Sequence, residues 1–405
     1  MHTCTFIVIS QSLSVSYTAT TLFIFLNFTN VEDRTYIGVR QQQKSAWDRM
    51  TYQPVCIADF EHYLRRNLSS PWCEYFTVGA NDGQTHADNV KAFKRYRLRP
   101  RCLRDVSNRD IRSSILGHDL EFPVGVSPSA CHAVVHKDGE IATAKGAASS
   151  GSAFILSVWA NTSLEDVAAS VPVETPLFMQ LNVFADREMT MSVVRRVEAT
   201  GRYRGLVVTV DQPIRGKRLS SHPIMPSHLR YANIKIPENL DDKDVVRVYD
   251  PSFCWKDITW LKEFTSLPLI LKGILTAADA RMAVSHGAAG ILVSNHGGRQ
   301  LDGVCATIDA LSEVVDAVRG SNVEVYLDGG VRNGTDVLKA LALGARAVFI
   351  GRPAIWGLAY DGEAGVKKVL GILKEEFSTA MALSGCASLA DITPDLVTTP
   401  SYSKL

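Results

Sequence analysis

The residues best suited to chemistry lie in one stretch, Ser294-Asn295-His296-Gly297-Gly298-Arg299-Gln300-Leu301-Asp302. Its histidine and arginine stand three positions apart, a titratable base beside a permanent cation. Such a pair fits one task well: taking a proton or hydride equivalent from an anion that the cation holds. The two glycines between them let the backbone come close to a ligand. The preceding run, Ala289-Gly290-Ile291-Leu292-Val293, reads as a buried strand, which puts the loop at that strand's carboxyl end.

The elements that must position this loop repeat along the chain. Eight short apolar runs, at 122–126, 153–156, 177–181, 205–210, 267–271, 289–293, 323–327 and 345–350, alternate with helical patterns at 139–150, 187–200, 277–286, 308–318 and 336–343. Short apolar strands separated by amphipathic helices mean a parallel sheet, and eight units over about 230 residues suit a single (β/α)8 TIM barrel. A doubly wound open sheet is the other candidate, but it wants a G-x-G-x-x-G turn after the first strand, which the sequence lacks.

In a barrel, the residues just past each strand share one mouth. They are Pro128-Ser129-Ala130, Ser157 and Trp159, Gln180 and Asn182, Thr209 and Asp211, Lys272, Ser294 with His296 and Arg299, Asp328-Gly329-Gly330, and Gly351-Arg352. That concentration of hydrogen-bonding groups suits a polar, phosphorylated, planar ligand. Asp328-Gly329-Gly330-Val331-Arg332 and Ile350-Gly351-Arg352-Pro353 offer glycine amides and two arginines at the end of strands seven and eight, where such barrels hold a phosphate. Lys272 closes Pro268-Leu269-Ile270-Leu271, so its ammonium leaves a buried strand and needs a partner. Two roles fit it, a Schiff-base nucleophile or a fixed cation beside a cofactor; the phosphate-type loops favour the second.

Composition sets the bounds. A net charge of +1 and a hydrophobic fraction of 46% describe a soluble globular protein with no pull toward nucleic acid or membrane. The eight cysteines show no C-x-x-C pair and no metal spacing, so no metal site is expected.

Residues 1–49 do not match the rest. They are Ser/Thr-rich with broken apolar runs, unlike a signal peptide or a membrane helix, and read as a leader that is disordered or a mispredicted start; a targeting segment is the alternative. The catalytic domain is expected over 50–405. It opens with a short helical preamble at 55–115: Ile57, Phe60, Leu64 and Leu68 fall at helical spacing, and a second short helix carries Trp72, Tyr75 and Phe76. The connection 217–255 carries Pro223, Pro226, Pro237 and the run Asp241-Asp242-Lys243-Asp244, and its length reads as a lid or a linker.

The stretch 294–302 resembles the signature of the FMN-dependent 2-hydroxy-acid oxidases, the glycolate oxidase family. The likeness runs from about residue 55 to the end and includes Thr209-Val210-Asp211, Leu271-Lys272-Gly273, Leu327-Asp328-Gly329-Gly330-Val331-Arg332 and Ala382-Leu383-Ser384-Gly385-Cys386. It implies an FMN-binding barrel that oxidises an (S)-2-hydroxy acid to the 2-oxo acid and passes electrons to O2, giving hydrogen peroxide. A homotetramer or larger assembly is implied as well.

Carried over by position, the resemblance makes His296 the base and Asp211 the carboxylate that orients it. It makes Arg299, Tyr75 and Arg218 the contacts of the substrate carboxylate, with Trp159 and residue 182 facing substrate. Pro128, Ser129, Ala130, Ser157, Gln180, Thr209 and Ser294 would surround the flavin, with Lys272 at its N1/O2 edge. Asp328, Gly329, Gly330, Arg332, Gly351 and Arg352 would hold the ribityl chain and phosphate.

One departure stands out: the family usually shows tyrosine where this chain has Asn182. Asparagine still donates a hydrogen bond but is shorter, so weaker turnover of the smallest substrates is expected. Three readings follow: the oxidase; a related L-lactate dehydrogenase or monooxygenase; and an FMN-binding relative of weak activity. A flavocytochrome form would need a haem domain ahead of the barrel, and some fifty residues are too few. The terminal Ser403-Lys404-Leu405 reads as a peroxisomal address for the import receptor, which suits a reaction that releases peroxide.

Overall fold

All eight apolar runs become strands: β1 (Val124–Val126), β2 (Phe154–Ser157), β3 (Leu177–Leu181), β4 (Tyr203–Thr209), β5 (Leu269–Ile274), β6 (Gly290–Val293), β7 (Glu324–Asp328) and β8 (Ala347–Ile350). Each pairs in parallel with the next, and β8 pairs with β1, so the sheet closes. The structure, a computed structural model, describes residues 53–220, 223–236 and 248–398. The leader at 1–49 and the Ser403-Lys404-Leu405 terminus lie outside the described residues.

Three helices precede the barrel: α1 (Ile57–Asn67), α2 (Ser70–Thr77) and α3 (Gln84–Ala92). The strands are followed in turn by α4 (Gly139–Ala148), α5 (Leu164–Ala169), α6 (Arg187–Thr200), α7 (Trp255–Phe264), α8 (Ala277–Ser285), α9 (Thr307–Ala317), α10 (Gly334–Ala342) and α11 (Arg352–Leu383). α11 is kinked where Asp361 and Gly362 leave helical geometry, with Gly362 at φ 55°. Sequence periodicity finds the strands to within a few residues, and the structure extends β2, β5 and β7 toward their carboxyl ends.

The core has two layers, because side chains of a strand alternate faces. Outward residues such as Leu156, Met179, Leu206 and Leu271 pack under the helices. Inward residues Ile155, Phe178, Val207, Ile270, Leu292, Tyr326 and Phe349 fill the barrel itself. At about 25 cal/mol per Å² of apolar surface, each such buried side chain contributes on the order of 1.5–3 kcal/mol.

The preamble is not wholly helical. Ser113–Ile115 pairs antiparallel with His118–Leu120, and Ile115 and Leu120 are buried against the inward layer, so this hairpin closes the amino-terminal end of the barrel. Further back in the preamble, the two-residue strand Arg97–Leu98 pairs antiparallel with Val397–Thr398. Short strands of three residues carry too few side chains for a period-two pattern to show.

Candidate active site

The same alternation that fills the barrel builds the site. Two residues beyond the inward apolar layer, each strand end presents its next inward side chain: Ser157, Gln180, Thr209, Lys272, Ser294 and Asp328. The apolar plug is thus roofed by a polar ring. Gln180 is central to one half, its Nε2 donating to Thr209 Oγ1 at 3.0 Å and its Oε1 accepting from Ser157 Oγ at 3.2 Å. In the other half Lys272 Nζ donates to Ser294 Oγ at 3.0 Å and lies 3.8 Å from Asp328 Oδ2, which also accepts from Ser127 Oγ at 2.7 Å. Lys272 therefore has its partner, as a buried ammonium requires.

Above the ring, a cavity of about 210 Å³ opens at the carboxyl ends of the strands. Of the expected site residues, all but Asp211 and Ser294 line it; those two stand behind His296 and Lys272. His296 holds φ 59°, followed by Gly297 and Gly298 at 65° and 72°, so three successive residues are left-handed. A side chain at Gly298 would meet the backbone of His86 at 2.5 Å, which is why only glycine fits beneath the loop.

His296 Nδ1 lies 3.1 Å from Asp211 Oδ1. An ionised carboxylate only accepts, so Nδ1 carries the proton and Nε2 keeps its lone pair. Burial holds the His296 pKa below the ordinary histidine value, with Lys272 and Arg299 acting the same way and Asp211 opposing them. Burial raises the Asp211 pKa, but the charge and hydrogen bond of His296, with Lys272, outweigh it and hold the group below the usual carboxylate range. The site can therefore keep an ionised acid behind a neutral base.

Arg299 and Arg218 both stack on Tyr75, their guanidinium carbons 4.8 Å and 5.6 Å from its ring centroid. Arg299 also donates to the Tyr75 carbonyl. Burial pushes Arg299 down to about 10, and burial with the nearby Arg299 pushes Arg218 down to about 9. Two crowded guanidiniums at one wall call for an anion between them.

The opposite end of the cavity makes the same demand. Arg332 lies with its guanidinium 4.9 Å from the Trp356 ring centroid, and Arg352 donates to the carbonyls of Phe76, Gly297 and Val78 at 3.1, 2.9 and 2.8 Å. Burial pushes Arg352 down to about 9, with Arg332 as the next cause. Beside them Gly329 and Gly330 stand at φ 93° and 88°, and a Cβ at Gly330 would collide with the Asn89 carbonyl. Asp328 Oδ1 is buried with no hydrogen-bond partner. A dianionic phosphate near the arginines and a polyol hydroxyl on Asp328 would satisfy what the protein leaves open, so these residues fit a flavin mononucleotide.

Asn182 departs from the sequence expectation in how it is used. Its Oδ1 accepts from Trp159 Nε1 and Gln180 Nε2, both at 3.2 Å, and its Nδ2 reaches Gln212 Oε1 at 3.5 Å. Its amide is turned into the wall instead of standing alone as a donor. Sequence reasoning missed Ser127, Gln212, Arg215, Tyr231 and Tyr249, which line the same cavity. Ser127 was legible as an inward position two residues past Gly125. The others sit on the aperiodic connection after β4, where no pattern marks them.

The stretch 294–302 divides between two duties. Asn295 and Asn89 exchange amide hydrogen bonds at 2.8 Å, and Asp302 accepts from the first amides of α3, Thr85 N at 2.8 Å and Gln84 N at 3.2 Å. These residues dock the preamble onto the barrel mouth, while His296 and Arg299 face the cavity. Among the described residues, no group of three His, Cys, Asp or Glu side chains could hold a metal, and no helix is long and apolar enough to cross a membrane.

Comparison with known proteins agrees with this geometry. Residues 64–399 match the FMN-dependent dehydrogenase family. The chain is 49% identical over 358 residues to 2-hydroxyacid oxidase 1 of Mus musculus, covering 85% of this chain and 96% of the relative. It is 46% identical to glycolate oxidase 1 of Oryza sativa subsp. indica, over 83% and 94% of the two chains. A crystal structure of mandelate oxidase superposes with a TM-score of 0.78 at 36% identity, covering 85% of this chain and 98% of that one. Flavocytochrome b2, as a double mutant with pyruvate bound, gives 0.77 at 34% identity over 86% and 87%. With the site's fit to a flavin mononucleotide, the matched residues place this chain in the FMN-dependent dehydrogenase family, and its cofactor is FMN.

Proposed function

We propose that the protein is an (S)-2-hydroxy-acid oxidase, converting a 2-hydroxy acid and O2 to the 2-oxo acid and hydrogen peroxide. The observation that carries this reading is the His296–Asp211 pair at 3.1 Å, on the cavity wall that also bears Arg299. The relatives named 2-hydroxyacid oxidase and glycolate oxidase support it.

In this reading the side chains of the cavity take the following roles. Arg299 and Arg218, steadied by the Tyr75 ring, grip the substrate carboxylate in a planar fork. Trp159 and Asn182 shape the wall beside it. Nε2 of His296 takes the proton, and Asp211 stabilises the imidazolium that forms. FMN, when bound, supplies the two-electron acceptor. Pro128, Ser129, Ala130, Ser157, Gln180, Thr209 and Ser294 would hold its ring, with Lys272 as the cation beside it. Asp328, Gly329, Gly330, Arg332, Gly351 and Arg352 would hold its ribityl phosphate.

The cellular reading is part of the proposal. Residues 50–405 form the catalytic unit behind a leader at 1–49, the assembly is a homotetramer or larger, and Ser403-Lys404-Leu405 directs the chain to the peroxisome through the import receptor. Its support is the terminal tripeptide and the release of peroxide.

The test is oxygen uptake by the holoenzyme with glycolate, lactate and a longer 2-hydroxy acid. One peroxide per oxo acid is expected. Flavin that bleaches anaerobically but produces no peroxide in air would assign the chain to a dehydrogenase or monooxygenase instead, and flavin that never bleaches would leave only a binding protein.

A further inference from the structure

The substrate and phosphate ends of the cavity meet at one helix end. α2 (Ser70–Thr77) is eight residues long, too short to stand by itself, and has no basic residue in its own last turn. Its last four carbonyls, Tyr75 to Val78, have no partner within the helix. The barrel caps three of them. Arg299 donates through Nη1 to Tyr75 O, and Arg352 donates through Nε to Phe76 O at 3.1 Å and through Nη2 to Val78 O at 2.8 Å. Arg352 Nη1 also donates to Gly297 O at 2.9 Å, inside the loop that carries His296 and Arg299. Arg352, the first residue of α11, is thus a bracket between α2 and that loop. A guanidinium has five N–H groups, and these three bonds use one on each nitrogen. One N–H remains on Nη1 and one on Nη2, and the side chain lines the cavity beside Arg332, Gly329 and Gly330, where the site fits a phosphate.

We propose that Arg352 is also a positioning residue for the substrate site: with the cofactor phosphate on its remaining N–H groups, it locks the carboxyl end of α2, and so Tyr75, in place for the substrate carboxylate. Cofactor occupancy then sets substrate affinity. The proposal rests on the assignment of Tyr75 to the substrate made above, and goes beyond it by naming what holds Tyr75.

Charge explains the coupling. Burial, then Arg332 and Arg218, push Arg352 down to about 9, so its surroundings resist a cation in the bracket. A phosphate dianion beside Arg332 and Arg352 removes that resistance, and the guanidinium then presents its full charge to the negative end of α2. Tyr75 follows the helix as a unit. Its ring packs edge-on against Trp72 and Phe76 of the same helix, with centroids 5.2 and 5.0 Å apart, so a shift of the helix end carries the phenol with it. Arg299 stacks on that ring and caps its carbonyl, so both substrate contacts move together. Beyond the helix, Ala80 N donates to Gly298 O at 2.7 Å, a tie that needs no arginine and confines the effect to the end of α2.

The test follows the full-length protein loaded with FMN, with riboflavin, which lacks the phosphate, or with riboflavin and inorganic phosphate. Amide hydrogen exchange over α2 and the pyruvate Kd, read from flavin absorbance, are the two measurements. With riboflavin, exchange in α2 is expected to quicken and pyruvate to bind more weakly, each by roughly tenfold, and saturating inorganic phosphate to reverse both. The apoprotein, with and without inorganic phosphate, gives the exchange measurement with no flavin bound. Arg352→Lys, with FMN in saturating excess, keeps a cation for the phosphate but cannot bridge three carbonyls. Its kcat/KM on lactate should fall by roughly tenfold, mainly through KM, and in the Tyr75→Phe background the same change should cost little more.

Exchange and pyruvate affinity that do not differ between FMN and riboflavin overturn the proposal, as does a difference that inorganic phosphate leaves untouched. A loss in Arg352→Lys that is fully additive with Tyr75→Phe overturns it as well. Wild-type flavin that lactate and longer 2-hydroxy acids never reduce overturns the oxidase reading instead, and the exchange measurement, which needs no turnover, still decides this proposal.

Discussion

The side chain of Gln300 donates to the backbone carbonyl of Asp211 at 3.0 Å, 89 residues away in the chain, so the loop that carries the base also holds the base's partner in place. The same amide bonds Ile214 O and Gly216 N. Replacing it leaves part-buried backbone groups without this partner, at about 1–3 kcal/mol for the set. Gln300→Leu is expected to lower Tm and to slow flavin reduction by substrate. A variant with wild-type Tm and rate would show that the clamp does not position Asp211.

The second prediction concerns the base. His296→Gln is expected to retain FMN and lose about 10²–10⁴-fold in the rate of flavin reduction. Near-normal reduction by substrate would remove His296 from the mechanism.

The pH dependence follows from the same pair. His296 must be neutral to accept a proton, so kcat/KM rises with pH through its pKa, and burial sets that acid limb below the ordinary histidine value of about 6.5. Asp211 opposes this depression. Asp211→Asn is therefore expected to move the limb to still lower pH while reducing the rate. A limb that moves upward would mean that Asp211 does not act on the imidazole.

Asn182→Tyr should separate two effects. The phenol restores the donor expected from the family resemblance, so kcat/KM on glycolate or lactate should rise. Trp159 Nε1 and Gln180 Nε2 lose their shared acceptor, at a stability cost of about 1–3 kcal/mol, so Tm should fall. If kcat/KM on every short substrate stays flat or falls, the pocket is adapted to asparagine.

For the address, a fluorescent protein fused ahead of residues 50–405 is expected in peroxisomes, and removal of the last three residues should leave it diffuse. Diffuse signal from the intact fusion, or punctate signal that survives the deletion, would exclude Ser403-Lys404-Leu405 as the cause.

What the sequence by itself determined is what has a period or a local motif. Burial on both faces makes the strands continuous apolar runs, the helices between them force parallel order, and eight such units close a barrel. Period-two alternation then dictates that Ser157, Gln180, Thr209, Lys272, Ser294 and Asp328 share one inward layer. Tertiary structure alone decided the rest, because those contacts join residues distant in the chain and obey no period. It showed that Asn295 and Asp302 dock the preamble while His296 and Arg299 face the cavity. It turned Asn182 into the wall through Trp159 and Gln180. It also brought Gln212, Arg215 and Tyr249 to the cavity from an irregular connection, whose backbone is set by hydrogen bonds to Gln300 rather than by a local pattern.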